Sequence, residues 1–358
     1  MSEAALWRLS LKSMPYVSVV IPCRNEEPFI RRVLKSLAHQ YDSERYEIIV
    51  ADGMSTDNTR HMVAEFMRVN PGVEVRLIEN PAIHISAGLN TAIRQAKGDI
   101  IVRMDGHSIP SANYVRRCVE VLETLGVEVT GAPIQIHPGA ETPTARAIAW
   151  AVGHPFGIGD ARYRLQSSSP QLVDTVAFGA FRKSLWKELG GFNETLLTNE
   201  DYDFYYRVRQ RDGRIYLDTE AYSIYVARPT LRKLADQYFR YGLWKVQMLR
   251  LHPRSIRWRH LVPPGFVAGL VIFTMLSLLW PMARWAFLLA AMAYGLLSAF
   301  FALRLAMQNK DFAPLLAVPA AFFTIHSSWG GGFFAGLLWL LYRQAARFED
   351  QGNRRKSR

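Results

Sequence analysis

The sequence predicts an α/β domain with a mostly parallel sheet, followed by an α-helical membrane region. Over the first 140 residues short β-rich runs alternate with helical patterns, the signature of βαβ units. Two long apolar stretches mark the C-terminal part. From Val262 to Leu303 the only charged residue is Arg284, and from Phe312 to Tyr342 there is none. A bilayer span needs about 20 predominantly apolar residues, so both stretches are long enough, and a soluble single-domain enzyme is excluded.

The elements follow in order. Val17-Ser-Val-Val-Ile-Pro22 is nearly continuous in apolar character, as a strand covered on both faces requires. Ile30, Val33, Leu34 and Leu37 then recur at helical spacing. Tyr46–Ala51 reads as the second strand, 57–69 as a helix with Asp57 as its cap, Val75–Ile78 as the third strand, Ser86–Ala96 as a helix and Ile100–Met104 as the fourth strand. A helix over 111–125 and one strand over 127–136 follow. Gly179–Ser184 and Leu189-Gly-Gly-Phe192 read as turns around a short helix, presenting an acidic cluster before a helix over 203–210.

In an open parallel sheet, ligands bind beyond the carboxyl ends of the strands. Those ends are Pro22-Cys-Arg-Asn-Glu-Glu27, Asp52-Gly-Met-Ser-Thr-Asp57 and Asp105-Gly-His107, so carboxylates converge on one rim. No G-x-G-x-x-G follows the first strand and no G-x-x-x-x-G-K-[ST] occurs, which argues against a dinucleotide cofactor and excludes a P-loop. Asp105 and His107 project the same way and together suit Mg²⁺ or Mn²⁺ bound to phosphate oxygens. They suit equally a turn with a histidine cap on the next element.

The acidic cluster Glu200, Asp201 and Asp203 also has two readings. One is capping and dipole compensation of the helix it precedes. The other is mutual repulsion that raises a carboxylate towards the range a general base needs. Residues 154–170, rich in Gly and Ser with Arg162 and Arg164, fit either a mobile loop near a phosphate group or an ordinary surface loop, and His154 a cap or a packed residue. Cys23 and Cys118 suggest neither a disulfide framework nor a zinc site.

The formal charge of the 358 residues is +12, and its distribution is uneven. Residues 1–227 carry 25 basic and 27 acidic side chains, 228–260 carry 9 and 1, and 343–358 carry 6 and 2. A basic run interleaved with Tyr238, Phe239, Tyr241, Trp244 and Trp258 could track nucleic acid. Its adjacency to Val262 favours an amphipathic helix at a membrane surface and no nucleic-acid partner. Residues 263–280 and 285–303 read as spans. The stretch 313–342, broken by Pro314, Pro319 and Trp329-Gly-Gly-Gly332, reads as a kinked or re-entrant third segment, which keeps the basic tail on the cytoplasmic side. Residues 1–14 hold no apolar run long enough for a signal peptide.

Several motifs, in this order, resemble those of inverting family 2 glycosyltransferases with the Rossmann-like GT-A fold. They are Val17–Glu27, Asp52–Thr59, Asn80 to Asn90, Arg103–His107, Gly179–Ser184, Gly190-Gly-Phe192, Asn199-Glu-Asp201 and Gln237-Tyr-Phe-Arg-Tyr241. Asp105-Gly-His107, His154–Gly159 and the membrane region further resemble the membrane-bound glucosyltransferases of succinoglycan-type exopolysaccharide synthesis. The resemblance covers about residues 15–245, and together with the charge and apolar runs it gives an N-terminal extension over 1–14, a GT-A catalytic domain over 15–227, a basic interfacial segment over 228–260, a transmembrane region over 261–342 and a cytoplasmic tail over 343–358. It implies that Pro22, Asn25, Glu26, Asp52, Ser86, Gly88, Asn90 and Asp105 bind the nucleotide sugar, and that Asp105 and His107 hold a divalent metal. Asp201 becomes the general base, and Glu200, Gln237 and Arg240 meet the acceptor or diphosphate. His107 departs from the family's last Asp, and Tyr241 from its Trp. The implied reaction moves a hexose from UDP-glucose to a polyprenyl-linked saccharide at the inner membrane, beside membrane lipids and polysaccharide-assembly proteins. Its rivals are transfer to polyprenyl phosphate itself and a non-catalytic scaffold.

Overall fold

In chain order the elements of the first half are β1 (Val17–Cys23), α1 (Ile30–Leu37), β2 (Tyr46–Asp52), α2 (Thr59–Val69), β3 (Val75–Glu79), α3 (Ile85–Gln95), β4 (Ile100–Arg103), β5 (Ser108–Pro110), α4 (Tyr114–Leu125), β6 (Val129–Ala132) and β7 (Ile134–His137). There follow α5 (Pro143–Ala151), α6 (Pro155–Ile158), β8 (Gln171–Leu172), β9 (Ala177–Arg182), α7 (Lys183–Glu188), α8 (Glu200–Arg209), β10 (Ile215–Leu217) and β11 (Ser223–Val226), then α9 (Leu231–Leu251), α10 (Val262–Leu279), α11 (Pro281–Asn309) and α12 (Ala317–Lys356). This is a computed structural model that describes residues 14–165 and 169–356, without the side chains of residues 43 and 343–356. Most of the expected N-terminal extension, Ser167 and Ser168, and the side chains of the basic tail lie outside the described residues. The chain divides into two units, residues up to Gln135 with Arg162–Tyr225, and Ile136–Ala161 with the residues from Val226 onward.

The first unit is built on a sheet of order β3-β2-β1-β4-β9-β6-β10-β8. β1 lies parallel to both β2 and β4, with Cys23 opposite Asp52, and β2 lies parallel to β3. Every residue of β1 and β2 is buried, which is why these strands read as near-continuous apolar runs. Ile30, Val33, Leu34 and Leu37 are the buried face of α1, as their spacing predicts. The core between sheet and helices gathers Val20, Ile49, Leu89 and Ile101 with Phe181, Phe192 and Phe204.

Three local expectations are corrected here. The run 127–136 is two strands, since Pro133 lacks the N–H a ladder needs and separates β6 from β7. The stretch 179–184 is mostly strand. β9 runs antiparallel between β4 and β6, and its Gly179 sits where a Cβ would collide with the Tyr205 ring, at 3.1 Å from Cζ. Asp57 does not cap α2 from the N-cap position, which is Asn58; it accepts the Thr59 N–H at 3.0 Å in the turn just before the helix.

In the second unit α12 is one continuous helix from Ala317, with no break at Trp329-Gly-Gly-Gly332. The glycines serve close crossing instead. A Cβ on Gly332 would fall inside the Phe239 backbone of α9, and one on Gly242 inside the Trp329 carbonyl. Among the described residues two helices are long and apolar enough to cross a membrane, Trp258–Leu279 and Pro281–Asn309. The basic run is partly internal: Lys245 is buried and donates to the Ser255 carbonyl at 3.2 Å, and Arg259 pairs with Asp160 at 2.8 Å. Arg232, Lys233, Arg240, Arg250 and Arg254 are exposed. His154 does cap, accepting the Phe156 N–H at 3.1 Å, and it packs on Phe301. Phe156 packs among Tyr294, Phe301 and Phe322, so this stretch is not a free surface loop.

Candidate active site

The site lies in the first unit, where β1, β2 and β4 end. Beyond β1 and β2 the two loops are laced together. Asn25, with φ +55°, donates its N–H to Ser55 Oγ at 2.9 Å and accepts the Thr56 N–H at 2.8 Å. Glu26 N–H donates to Thr59 Oγ1 and Glu27 N–H to Asp57. Asn25 and Asp57 therefore shape the rim. Asp52 is fully buried, accepts the Ser55 N–H at 3.2 Å, and lies 3.7 Å from the Arg60 guanidinium.

β4 delivers Arg103, Asp105 and His107. Gly106 allows the loop beyond β4 to approach that beyond β1, for a Cβ there would stand 2.8 Å from Glu26 Cγ and 3.1 Å from Cys23 Cβ. The approach brings His107 Nδ1 within 2.8 Å of Glu26 Oε1, a contact that fixes the ring's orientation.

The acidic cluster comes from α8, whose N-cap Asn199 has φ +67°. Its three carboxylates are sorted by their partners. Asp203, fully buried, accepts from Arg207 Nε at 2.9 Å and is structural. Glu200 is buried and lies 2.9 Å from Arg103 Nη2. The same nitrogen lies 3.3 Å from Asp105 Oδ1. Asp201 is half-buried in the first turn of α8. Burial raises the Glu200 carboxyl above the usual glutamate range; the Arg103 charge opposes the rise and Asp201 adds to it. Crowding of like charges is thus a secondary cause.

The remaining residues of the expected nucleotide pocket sit on or beside α3. Ser86 is buried and its hydroxyl has no protein partner. Gly88 lies so close to Asn80 and Pro22 that a Cβ would meet them at 2.9 and 3.4 Å. Asn90 is buried and committed to the turn after α7: it accepts from Trp186 Nε1 and the Phe192 N–H, and donates to the Phe192 carbonyl and Glu194. Gln237 and Arg240 lie on α9 of the second unit, where Gln237 donates to the Tyr241 hydroxyl at 2.9 Å. Sequence reasoning overlooks Arg103 and the Glu26–His107 contact. A lone arginine closing the apolar run Ile100-Ile-Val was the available signal for the first.

Residues 18–190 match the family model described as Glycosyl transferase family 2. That span is a family 2 glycosyltransferase domain. Among curated relatives of the glycosyltransferase, the succinoglycan biosynthesis protein ExoA of Rhizobium meliloti is 27% identical over 327 residues, covering 89% of this chain and 94% of the relative. The dolichyl N-acetyl-alpha-D-glucosaminyl phosphate 3-beta-D-2,3-diacetamido-2,3-dideoxy-beta-D-glucuronosyltransferase of Methanococcus voltae is 25% identical over 331 residues, covering 91% and 98%. A mannosyltransferase from Pyrobaculum calidifontis, solved with GDP-Man and Mn²⁺, superposes with TM-score 0.57 at 20% identity and covers 90% of this chain and 93% of its own. That likeness is one of fold, and it makes the glycosyltransferase domain GT-A.

Proposed function

We propose that this glycosyltransferase moves a hexose, with inversion, from a nucleotide sugar to a polyprenyl-linked saccharide at a membrane surface, with UDP-glucose as donor. The observation that carries the reading is the meeting of Asp105 and Glu200, the neighbour of Asp201 in the chain, at one buried guanidinium, Arg103. It supplies a diphosphate end and a proton-accepting end within one site. Pro22, Asn25, Glu26, Asp52, Ser86, Gly88 and Asn90 shape the nucleotide side, Asn90 from behind.

A sugar hydroxyl is a weak nucleophile at neutral pH, and Asp201 takes its proton as it attacks the anomeric carbon. The nucleoside diphosphate leaves from the opposite face, so inversion needs no covalent enzyme intermediate. Asp105 and His107 would hold a divalent cation, Mg²⁺ or Mn²⁺. One carboxylate and one imidazole suit such an ion, and no group of three or more such ligands stands ready among the described residues. The donor set therefore fits a cation completed by diphosphate oxygens. When bound, the cation offsets charge on the leaving group.

Membrane attachment through Trp258–Leu279 and Pro281–Asn309 as a hairpin, with the catalytic domain on the cytoplasmic face, presents the site to a lipid-borne acceptor. Each exposed cation on α9 near an anionic surface adds about 1 kcal/mol of attraction. Gln237 and Arg240 are proposed on the acceptor side, and polysaccharide-assembly proteins as neighbours. Transfer to a lipid-linked saccharide, rather than to bare polyprenyl phosphate, agrees with the dolichyl N-acetyl-alpha-D-glucosaminyl phosphate in the name of the Methanococcus voltae relative.

The test pairs calorimetric donor binding with a product assay on the detergent-solubilised full chain. Wild type turns over UDP-glucose with a lipid-linked saccharide acceptor, and Asp201→Asn binds donor but transfers about 10²–10⁴-fold more slowly. Turnover retained in Asp201→Asn refutes the base assignment. Wild-type inertness towards every nucleotide sugar refutes the transferase reading.

A further inference from the structure

We propose that Arg103 is a positioning residue for this reaction, holding Asp105 at the diphosphate end and Glu200 at the acceptor end on one guanidinium, an inference that rests on the transferase reading of the site. Nη2 has two hydrogens, and two carboxylate oxygens, Glu200 Oε1 at 2.9 Å and Asp105 Oδ1 at 3.3 Å, lie within reach of that one nitrogen. The side chain is almost wholly buried.

Its other donors decide the kind of role. Nε and Nη1 are closed off from the surface and have no protein partner. Arg103 therefore offers no accessible donor to a substrate, and whatever it does for the reaction passes through the carboxylates. Stability alone does not account for it, since well-packed apolar residues in place of a buried ion pair are often neutral or stabilising. Two orphaned buried donors make the arrangement still less favourable as a purely structural device. Glu200 and Asp201 are neighbours in the first turn of α8, so fixing Glu200 fixes the backbone that carries Asp201. The planar fork matters: a lysine ammonium in its place is a point charge on a flexible stem and would not hold both carboxylates in one geometry.

Arg103→Lys, Glu200→Gln and the double variant are prepared as full chains, and kcat, donor KM and calorimetric donor affinity are measured. Arg103→Lys should lower kcat about 10–100-fold, the scale on which small misplacements act, and weaken donor affinity more than about threefold because Asp105 loses its hold. Glu200→Gln, which leaves the Arg103–Asp105 pair in place, should lower kcat likewise while donor KM and affinity stay within about threefold, and the double variant should have a kcat no lower than that of the slower single variant, as expected of two residues acting as one unit. Wild-type kcat in Arg103→Lys, or a double-variant loss equal to the product of the single losses, overturns the proposal. If Arg103→Lys does not fold, Glu200→Gln decides alone, and an unchanged kcat there overturns it. Because wild-type turnover is the common reference, a failed transferase reading shows first as an inert wild type, whereas failure of this inference leaves the wild type active.

Discussion

Gly331 and Gly332 are adjacent in α12, yet the same substitution should act in opposite directions at the two. A Cβ on Gly331 meets nothing within 4 Å, so Gly331→Ala gains the helix preference of alanine, about 1 kcal/mol. A Cβ on Gly332 would stand 2.8 Å from the carbonyl carbon and 2.9 Å from the Cα of Phe239, against a comfortable separation near ~3.7 Å. Both colliding atoms are backbone, so no rotamer can relieve the overlap, and α9 must retreat from α12 by about 1 Å. Such a retreat forfeits a quarter to a half of each contact worth ~0.15 kcal/mol, and over some tens of atom pairs that is about 2 kcal/mol. Alanine's helix preference returns about 1 kcal/mol of this. The two variants should therefore differ by about 2 kcal/mol, on the order of 3 °C in melting temperature for a chain of 358 residues. Thermal unfolding of both proteins in the same detergent measures the gap directly. Equal melting temperatures, or a more stable Gly332→Ala, would refute the close crossing.

Two further outcomes follow from side-chain partners. Against the opposing effect of burial, the hydrogen bond from Arg259 and the charges of Arg259 and Arg257 hold Asp160 below the ordinary 3.8. The stability it contributes is present above that value and is lost as pH falls through the lower folded-state pKa. Asp160→Asn should thus melt below wild type at pH 7, with the difference closing below about pH 4; a difference constant with pH would contradict the pairing. Asn90→Ala strips a buried side chain that engages Trp186, Phe192 and Glu194, and should destabilise the fold by about 3 kcal/mol in chemical unfolding. Full stability with lost donor binding would instead make Asn90 a direct nucleotide ligand.

The parallel half of the sheet was legible because burial on both faces leaves an unmistakable apolar run at β1 and β2, and because the buried face of α1 shows in its spacing. β9 was not. Ala-Phe-Gly-Ala-Phe lacks β-branched residues, and its glycine is set by the Tyr205 ring, a neighbour that local pattern does not reveal. The glycines of α12 misled for a related reason. In isolation they read as a break, and only the facing backbone of α9 shows why they belong inside a helix. The acidic cluster and the strand-end carboxylates stood out as residues, but their division of labour did not. The Asp203–Arg207 pair is an i,i+4 pair on one helix that spacing alone offers, but that Glu200 meets Arg103 depends on three-dimensional proximity between distant segments.

The placement of β9 bears on synthesis of the chain. β1 to β4 are neighbours made early, but β9 lies between β4 and β6 and so must enter before the sheet is continuous. Glu200 and Asp201 follow β9 in the chain. Synthesis from the N-terminus makes the strand ends that carry Asp52 and Asp105 before the residue proposed as proton acceptor, Asp201. Non-local pairing of this kind is the slow part of assembly. An incomplete chain therefore carries the residues proposed for the nucleotide before it carries the one proposed as proton acceptor, which arrives only after the strand that joins the two parts of the sheet.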